Sequence, residues 1–218
     1  MPLPTSHNFL NCTIFLICCQ VTLDFGGHQI YNISKIESKY QGKVQQMSVI
    51  LIGMPSCGKS TLGVLLAKKL GYRFIDSDLL IQEREGMLLH DIIESKGIDG
   101  FLAIENEVNA SITDTRAVIS TGGSAVYGKE AMEHLRTLGS VVYLNISCDT
   151  MVSRLGDYVH RGVVLPEGYT LEDMYRERSV LYESYADITV HTDSGDISTA
   201  LEEISSVLVK KDKIRETP

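Results

Sequence analysis

Five short apolar-rich runs, at 49–52, 72–75, 117–120, 141–144 and 188–190, have strand length and strand composition. Between them lie stretches with helical spacing. These run over 61–70, closed by Gly71, over 79–113, broken by Gly86, Gly97 and Gly100, and over 129–138, 171–186 and 197–211. The segment 154–168 carries arginines and glycines and fits neither period. Uninterrupted apolar strands alternating with helices predict an α/β fold of three layers: a parallel sheet of about five strands with helices on both faces. Ligands of such sheets sit at the carboxyl ends of the strands, and the glycine and aspartate candidates Gly53, Asp76 and Gly122 each follow a predicted strand.

The octapeptide Gly53-Met54-Pro55-Ser56-Cys57-Gly58-Lys59-Ser60 fills the pattern G-x-x-x-x-G-K-[ST] between a strand and a helix, the context this motif needs. Gly53 and Gly58 permit backbone angles closed to other residues. Successive N–H groups from Gly53 to Thr61, including those of Ser56 and Cys57, can then face phosphate oxygens at the positive end of a helix, with Pro55 in the same nucleotide-binding loop. Lys59 is placed for the β and γ phosphates, and Ser60 for Mg²⁺. The expected ligand is a nucleoside triphosphate. Asp76 and Asp78 flank Ser77 at a strand end, where alternation would turn both to one side. One carboxylate would support Mg²⁺ and the other would accept the proton of an attacking hydroxyl; alternatively, Asp78 caps the following helix.

Composition narrows the context. At 218 residues the chain suffices for one domain with a sizeable core, and its net charge of −8 argues against a nucleic-acid partner. Five cysteines with no C-x-x-C pair suit a reducing, cytoplasmic setting, and His90, His134, His160 and His191 show no metal-ligand spacing. The run 9–21 is apolar but shorter than the ~20 residues that cross a bilayer, and no Lys or Arg precedes it. Residues 24–46 show no sustained period. The expectation is a domain over 47–213 starting at Met47, with 1–46 a disordered or non-native leader; a membrane-tethering tail is the rival reading.

With the P-loop, the segment Gly71-Tyr72-Arg73-Phe74-Ile75-Asp76-Ser77-Asp78, Gly97 to Glu105, Ser120-Thr121-Gly122-Gly123, and Glu177-Arg178-Ser179-Val180-Leu181-Tyr182-Glu183 followed by Ala186-Asp187, the chain resembles the shikimate kinase family. The resemblance runs from about Met47 to Lys211. It implies a P-loop kinase fold with a small lid and a helical acceptor-binding segment, and a cytoplasmic, monomeric enzyme using ATP and Mg²⁺. By resemblance, Asp76 supports the metal and Asp78 binds the attacking hydroxyl. Gly122 and Gly123 line the acid substrate, Arg178 pairs with its carboxylate, and Arg161 closes as a lid arginine. Arg154 stands where related kinases commonly face phosphates.

Three positions depart from the family pattern. Leu102 replaces an arginine expected to grip the shikimate carboxylate, a charge-assisted contact that leucine cannot make, and Glu105 loses the partner it would orient. Ser124 replaces a third glycine. The lid reads Arg161-Gly162-Val163-Val164 in place of Arg-Pro-Leu-Leu. The leading expectation is phosphorylation of shikimate; the alternatives are another small hydroxy acid or amino-alcohol such as homoserine, or a nucleotide-binding module without catalysis.

Overall fold

A computed structural model describes residues 47–156 and 162–215, with side chains as far as Leu208. The predicted leader and Arg161 lie outside the described residues. Strands β1 (Ser48–Ile52), β2 (Arg73–Asp76), β3 (Ala117–Ser120), β4 (Gly139–Asn145) and β5 (Ile188–His191) form one sheet in the order β2-β3-β1-β4-β5. Every pairing is parallel. β1 is central, and Val49 to Ile52 are almost wholly buried because both faces of the strand are covered.

Helix α1 (Lys59–Leu70) follows the P-loop and packs on β1, β2 and β3 together with α7 (Ile197–Arg215). The other layer holds α3 (Leu89–Ser111), α4 (Lys129–Leu138) and α6 (Leu171–Tyr185), with α2 (Ser77–Glu85) against α3 and α5 (Cys148–Leu155) against α6. One large cluster fills the sheet core. A smaller one, formed by Ile81, Ile92, Phe101, Ile104, Val108 and Val164, lies under the helical segment of α2 and α3.

The predicted three-layer architecture and five strands are present, and several local readings change. The strand after α1 ends at Asp76, so Asp78 is helical and strand alternation cannot be what brings the two aspartates together. Asp76 is itself the cap of α2, accepting the Asp78 N–H at 3.1 Å; Asp78 does not cap that helix. Gly100 does not interrupt α3, whereas Gly97 does, with φ 72 and ψ 174 inside an otherwise continuous helix. Helix α5 was not foreseen from the sequence. Its signal is Ser147, whose hydroxyl accepts the Thr150 N–H as a short amphipathic turn begins.

Gly63 brings α1 close to the sheet: a Cβ there would stand 2.6 Å from the Phe74 ring and 3.3 Å from Leu51 Cδ1. Gly63→Val should therefore overpack this seam and cost about 1–3 kcal/mol. At roughly 2–4 °C per kcal/mol for a domain of this size, the loss is readable in a thermal melt, and an unchanged melting temperature would contradict the packing described.

Candidate active site

The carboxyl ends of β1, β2 and β3 open on one cavity of ≈ 430 Å³. Its phosphate side is the P-loop, wound through positive φ at Gly53 (146), Ser56 (63) and Gly58 (100). Ser56 was not among the positions expected to need this conformation. At Gly53 no side chain fits, because a Cβ would lie 2.6 Å from the Leu144 carbonyl oxygen and 2.9 Å from Cys57 Sγ. Cys57 is accordingly a buried loop filler, with its thiol 3.8 Å from Lys59 Nζ. No side chain among the described residues caps α1, so its first N–H groups stay directed at the cavity with the positive end of the helix dipole.

Lys59 is buried and donates from Nζ to the Gly53 and Met54 carbonyls at 2.8 and 2.9 Å, which holds the ammonium at the centre of its own loop. Ser60 Oγ donates to Asp76 Oδ2 at 2.7 Å and lies 3.3 Å from Ser120 Oγ. Asp76 thus uses one oxygen to cap α2 and turns the other toward the P-loop serine. A hydroxyl beside a carboxylate suits Mg²⁺, which takes few protein oxygens and completes its shell with phosphates and water. Among the described residues no group of three or more His, Cys, Asp or Glu could hold a metal by itself.

The opposite wall is built around two carboxyl groups. A Cβ on Gly122 would meet Glu105 Oε1 at 2.1 Å and Asp78 Oδ1 at 2.8 Å, so a side chain there would have to push the carboxyls aside. Burial, reinforced by Asp76 and eased by Lys59, raises Asp78 to about 6. Glu105, 1% exposed, is pushed to about 7, chiefly by burial and further by Asp78; the Ser124 hydroxyl, Arg178 and Lys59 act in the other direction. The Ser124 hydroxyl is near enough to ease the charge without making an aligned bond, since neither Glu105 oxygen meets a hydrogen-bond partner among the described residues. Ser124 itself has ordinary helical angles, so the backbone does not demand glycine there.

Arg178 is 1% exposed on the inner face of α6 and lines the same cavity. Its Nε donates to Tyr127 Oη at 3.3 Å, one terminal nitrogen donates to the Val164 carbonyl at 2.7 Å, and the guanidinium lies 5.3 Å from the Tyr127 ring centroid. One turn on, Tyr182 donates to the Gly123 carbonyl at 2.5 Å and stacks on Tyr143 at 5.1 Å. Tyr127, Tyr182 and Val164 thus fix the arginine and the glycine turn. Sequence reading missed this role, for which the i, i+4 spacing of Arg178 and Tyr182 on one helix face was the available signal.

Leu102 does not line the cavity. It packs with the Phe101 cluster, and the wall beside Glu105 is made by Leu89, Phe101, Val163 and Val164. Gly162 adopts φ 66 and approaches Leu89, where a Cβ would stand 2.6 Å from Leu89 Cβ; a proline, with φ near −65°, cannot take that conformation. Arg154 reaches the cavity from α5 while donating to the Thr192 and Asp193 carbonyls at 3.3 and 2.8 Å. It also borders a second hollow of ≈ 260 Å³, lined by Cys57, Thr61, Leu62 and the segment from Thr192 to Ala200. Of the predicted residues, the cavity gathers Pro55, Ser56, Gly58, Lys59, Ser60, Thr61, Asp78, Gly122, Gly123, Arg154 and Arg178, with Asp76 behind Ser60.

Residues 55–209 match the family model described as shikimate kinase. A shikimate kinase of Sulfurihydrogenibium sp. is 32% identical over 165 residues, covering 75% of this chain and 99% of the relative. One from Actinobacillus pleuropneumoniae is 38% identical over 152 residues, covering 68% and 88%. Among solved structures, shikimate kinase from Acinetobacter baumannii in complex with shikimate superimposes with a TM-score of 0.71 at 29% identity, covering 80% of this chain and 98% of that one. The chain belongs to the shikimate kinase family and is a phosphotransferase acting on a hydroxyl group.

Two outcomes follow from the carboxyl wall. Gly122→Ala should displace Asp78 and Glu105 and lower kcat/KM for the acceptor on the order of 100-fold while nucleotide affinity holds, because small misplacements at a reacting centre are costly. Equal losses for acceptor and nucleotide would contradict this placement. Glu105 ionises near its ordinary 4.5 in the unfolded chain but near 7 in the fold, so its contribution to stability is complete below 4.5 and disappears as pH rises to 7. Glu105→Gln removes that dependence. Its melting temperature, relative to the parent chain, should rise by a few degrees between pH 5 and pH 8; a difference constant with pH would contradict the raised ionisation.

Proposed function

We propose that the chain transfers the γ-phosphoryl group of ATP to a hydroxyl of a small carboxylate-bearing acceptor, and that this acceptor is shikimate, phosphorylated at its 3-hydroxyl. The observation that carries the reading is the convergence in one cavity of an uncapped P-loop helix with Lys59, the Asp78 carboxyl, the Gly122-Gly123 turn and the buried Arg178. The unit that does this spans 47–213 and acts as a monomer.

The P-loop amides from Gly53 to Thr61 and Lys59 bind and orient the β and γ phosphates, and Ser60 with Asp76 would hold Mg²⁺. ATP with Mg²⁺ supplies an electrophilic phosphorus whose bond to the bridging oxygen breaks as the acceptor oxygen bonds to it. Asp78 takes the proton of the acceptor hydroxyl. Arg178 grips the acceptor carboxylate, with Gly122 and Gly123 letting the acceptor approach the backbone. Arg154 faces the phosphates at the edge of the second hollow, whose apolar side suits a nucleobase. Arg161, outside the described residues, would add a further cation from the lid.

The apolar wall and the position of Leu102 outside the cavity favour one second reading, a different hydroxy acid or an amino-alcohol such as homoserine. A coupled assay of ADP release across shikimate, homoserine and other hydroxy acids separates them. Lys59→Ala should abolish turnover with an unchanged ligand-free melt, and Arg178→Ala should cost about 2–5 kcal/mol in kcat/KM for a carboxylate acceptor. Near-normal turnover in the lysine variant sinks the kinase mechanism, and turnover confined to homoserine sinks shikimate.

A further inference from the structure

Among the described residues, Ser56 and Arg116 are the two that are not glycine and yet take a left-handed backbone, with φ 63 and 59. A side chain there crowds its own backbone, a cost that glycine escapes. At Arg116 the cost has a structural use. That residue leads into β3, its carbonyl accepts the Arg73 N–H at 3.1 Å, and its guanidinium lies 5.5 Å from the Tyr72 ring centroid. Ser56 lies instead in the middle of the loop between β1 and α1. The same loop uses glycine at its other positive-φ positions, Gly53 and Gly58, so the serine stands where glycine would make the turn without strain.

Its position in the loop gives that serine a task. Pro55 abuts the glycine turn, where a Cβ on Gly123 would lie 3.1 Å from both Pro55 Cγ and Cδ. Cys57 is buried in the core and borders the second hollow with Thr61 and Leu62. Ser56, between them, is partly exposed and lines the main cavity together with Lys59, Gly123 and Arg178. It therefore belongs to the part of the loop nearest the Gly122-Gly123 turn, where a phosphoryl group leaving the nucleotide must pass to reach an acceptor. The other polar groups of the loop are committed elsewhere: Lys59 Nζ is held by the Gly53 and Met54 carbonyls, and Ser60 directs its hydroxyl onto Asp76.

We infer that the Ser56 hydroxyl donates a hydrogen bond to a non-bridging oxygen of the γ-phosphoryl group, and that this side chain is how the loop tells a nucleoside triphosphate from the diphosphate left after transfer. The oxygens of the transferred group carry the charge of the transition state, and a hydroxyl bonded to such an oxygen makes a charge-assisted contact. That contact offsets the strain kept at φ 63, in the way that strained backbone at a functional site is retained. A diphosphate presents no γ oxygens to the hydroxyl. The inference rests on the kinase reading above and concerns the phosphate donor alone.

Calorimetric titration with Mg²⁺ and a non-hydrolysable ATP analogue, and separately with Mg²⁺ and ADP, tests this on the full chain, on Ser56→Ala and on Ser56→Gly. Alanine keeps the Cβ and its constraint on the loop while losing the hydroxyl; glycine loses both. Each variant should bind the triphosphate analogue about 10- to 100-fold more weakly than the parent chain and ADP within about twofold, with a ligand-free melting temperature that stays within a few degrees. In turnover, kcat/KM for ATP should fall while inhibition by ADP holds. Unchanged triphosphate affinity in Ser56→Ala overturns the inference, and weakening in Ser56→Gly alone then assigns the effect to loop stiffness. Equal weakening of both nucleotides makes the residue structural and overturns it as well. A parent chain that binds neither nucleotide removes the kinase reading and this inference with it.

Discussion

The whole site depends on how tightly the backbone closes at the carboxyl end of β1. Gly53 passes so near the Leu144 carbonyl that no side chain can stand there, which starts the P-loop in one direction only. Lys59 then bonds back to the Gly53 and Met54 carbonyls and fixes the loop from inside. Neighbouring strands add their own ties: the Thr121 hydroxyl donates to the Leu51 carbonyl at 3.0 Å and the Thr192 hydroxyl to the Cys57 carbonyl at 3.4 Å. A phosphate cradle made of backbone amides works only if the backbone cannot relax, and these contacts supply that rigidity.

Around this fixed loop, electrostatics set two territories. On one side lie the loop amides, Lys59 and Arg154, with the Ser60–Asp76 pair at the boundary. On the other lie Asp78 and Glu105, pressed together across Gly122, and the buried Arg178 held by Tyr127 and Val164. Burial displaces both carboxyls upward, with Asp76 adding to it at Asp78 and Asp78 adding to it at Glu105. Gly122 and Gly123 are constrained from opposite directions, by the carboxyls at the first and by Pro55 and Arg178 at the second. The glycine turn is thus a spacer between the P-loop and the carboxyl wall.

The fold class, the P-loop and the gathering of candidate residues at strand ends were legible in the chain because each rests on local rules. Apolar runs of strand length, helical spacing, and a glycine motif between them all act over a few residues. Where a reading failed, a short-range pattern was outcompeted by a contact. Strand alternation was extended through Asp78, yet Asp76 caps a helix that begins at Ser77, and the helix turn, not the pleat, brings the two carboxylates near each other. Gly100, expected to break the helical stretch, lies inside a helix that continues through it.

By itself, the sequence determined that a phosphate loop sits between a strand and a helix and that two aspartates follow the second strand; the resemblance to the family added that leucine stands at position 102 where an arginine was expected. The tertiary structure alone decided what that loss means. Residue 78 comes from α2, 105 from α3, 122 and 124 from the turn after β3 and 178 from α6, and only the stacking of these helices over the strand ends makes them one wall. Burial, which shifts both carboxyl groups, and the placement that leaves the Glu105 oxygens without a hydrogen-bond partner among the described residues arise from packing between elements far apart along the chain. No local pattern encodes that packing.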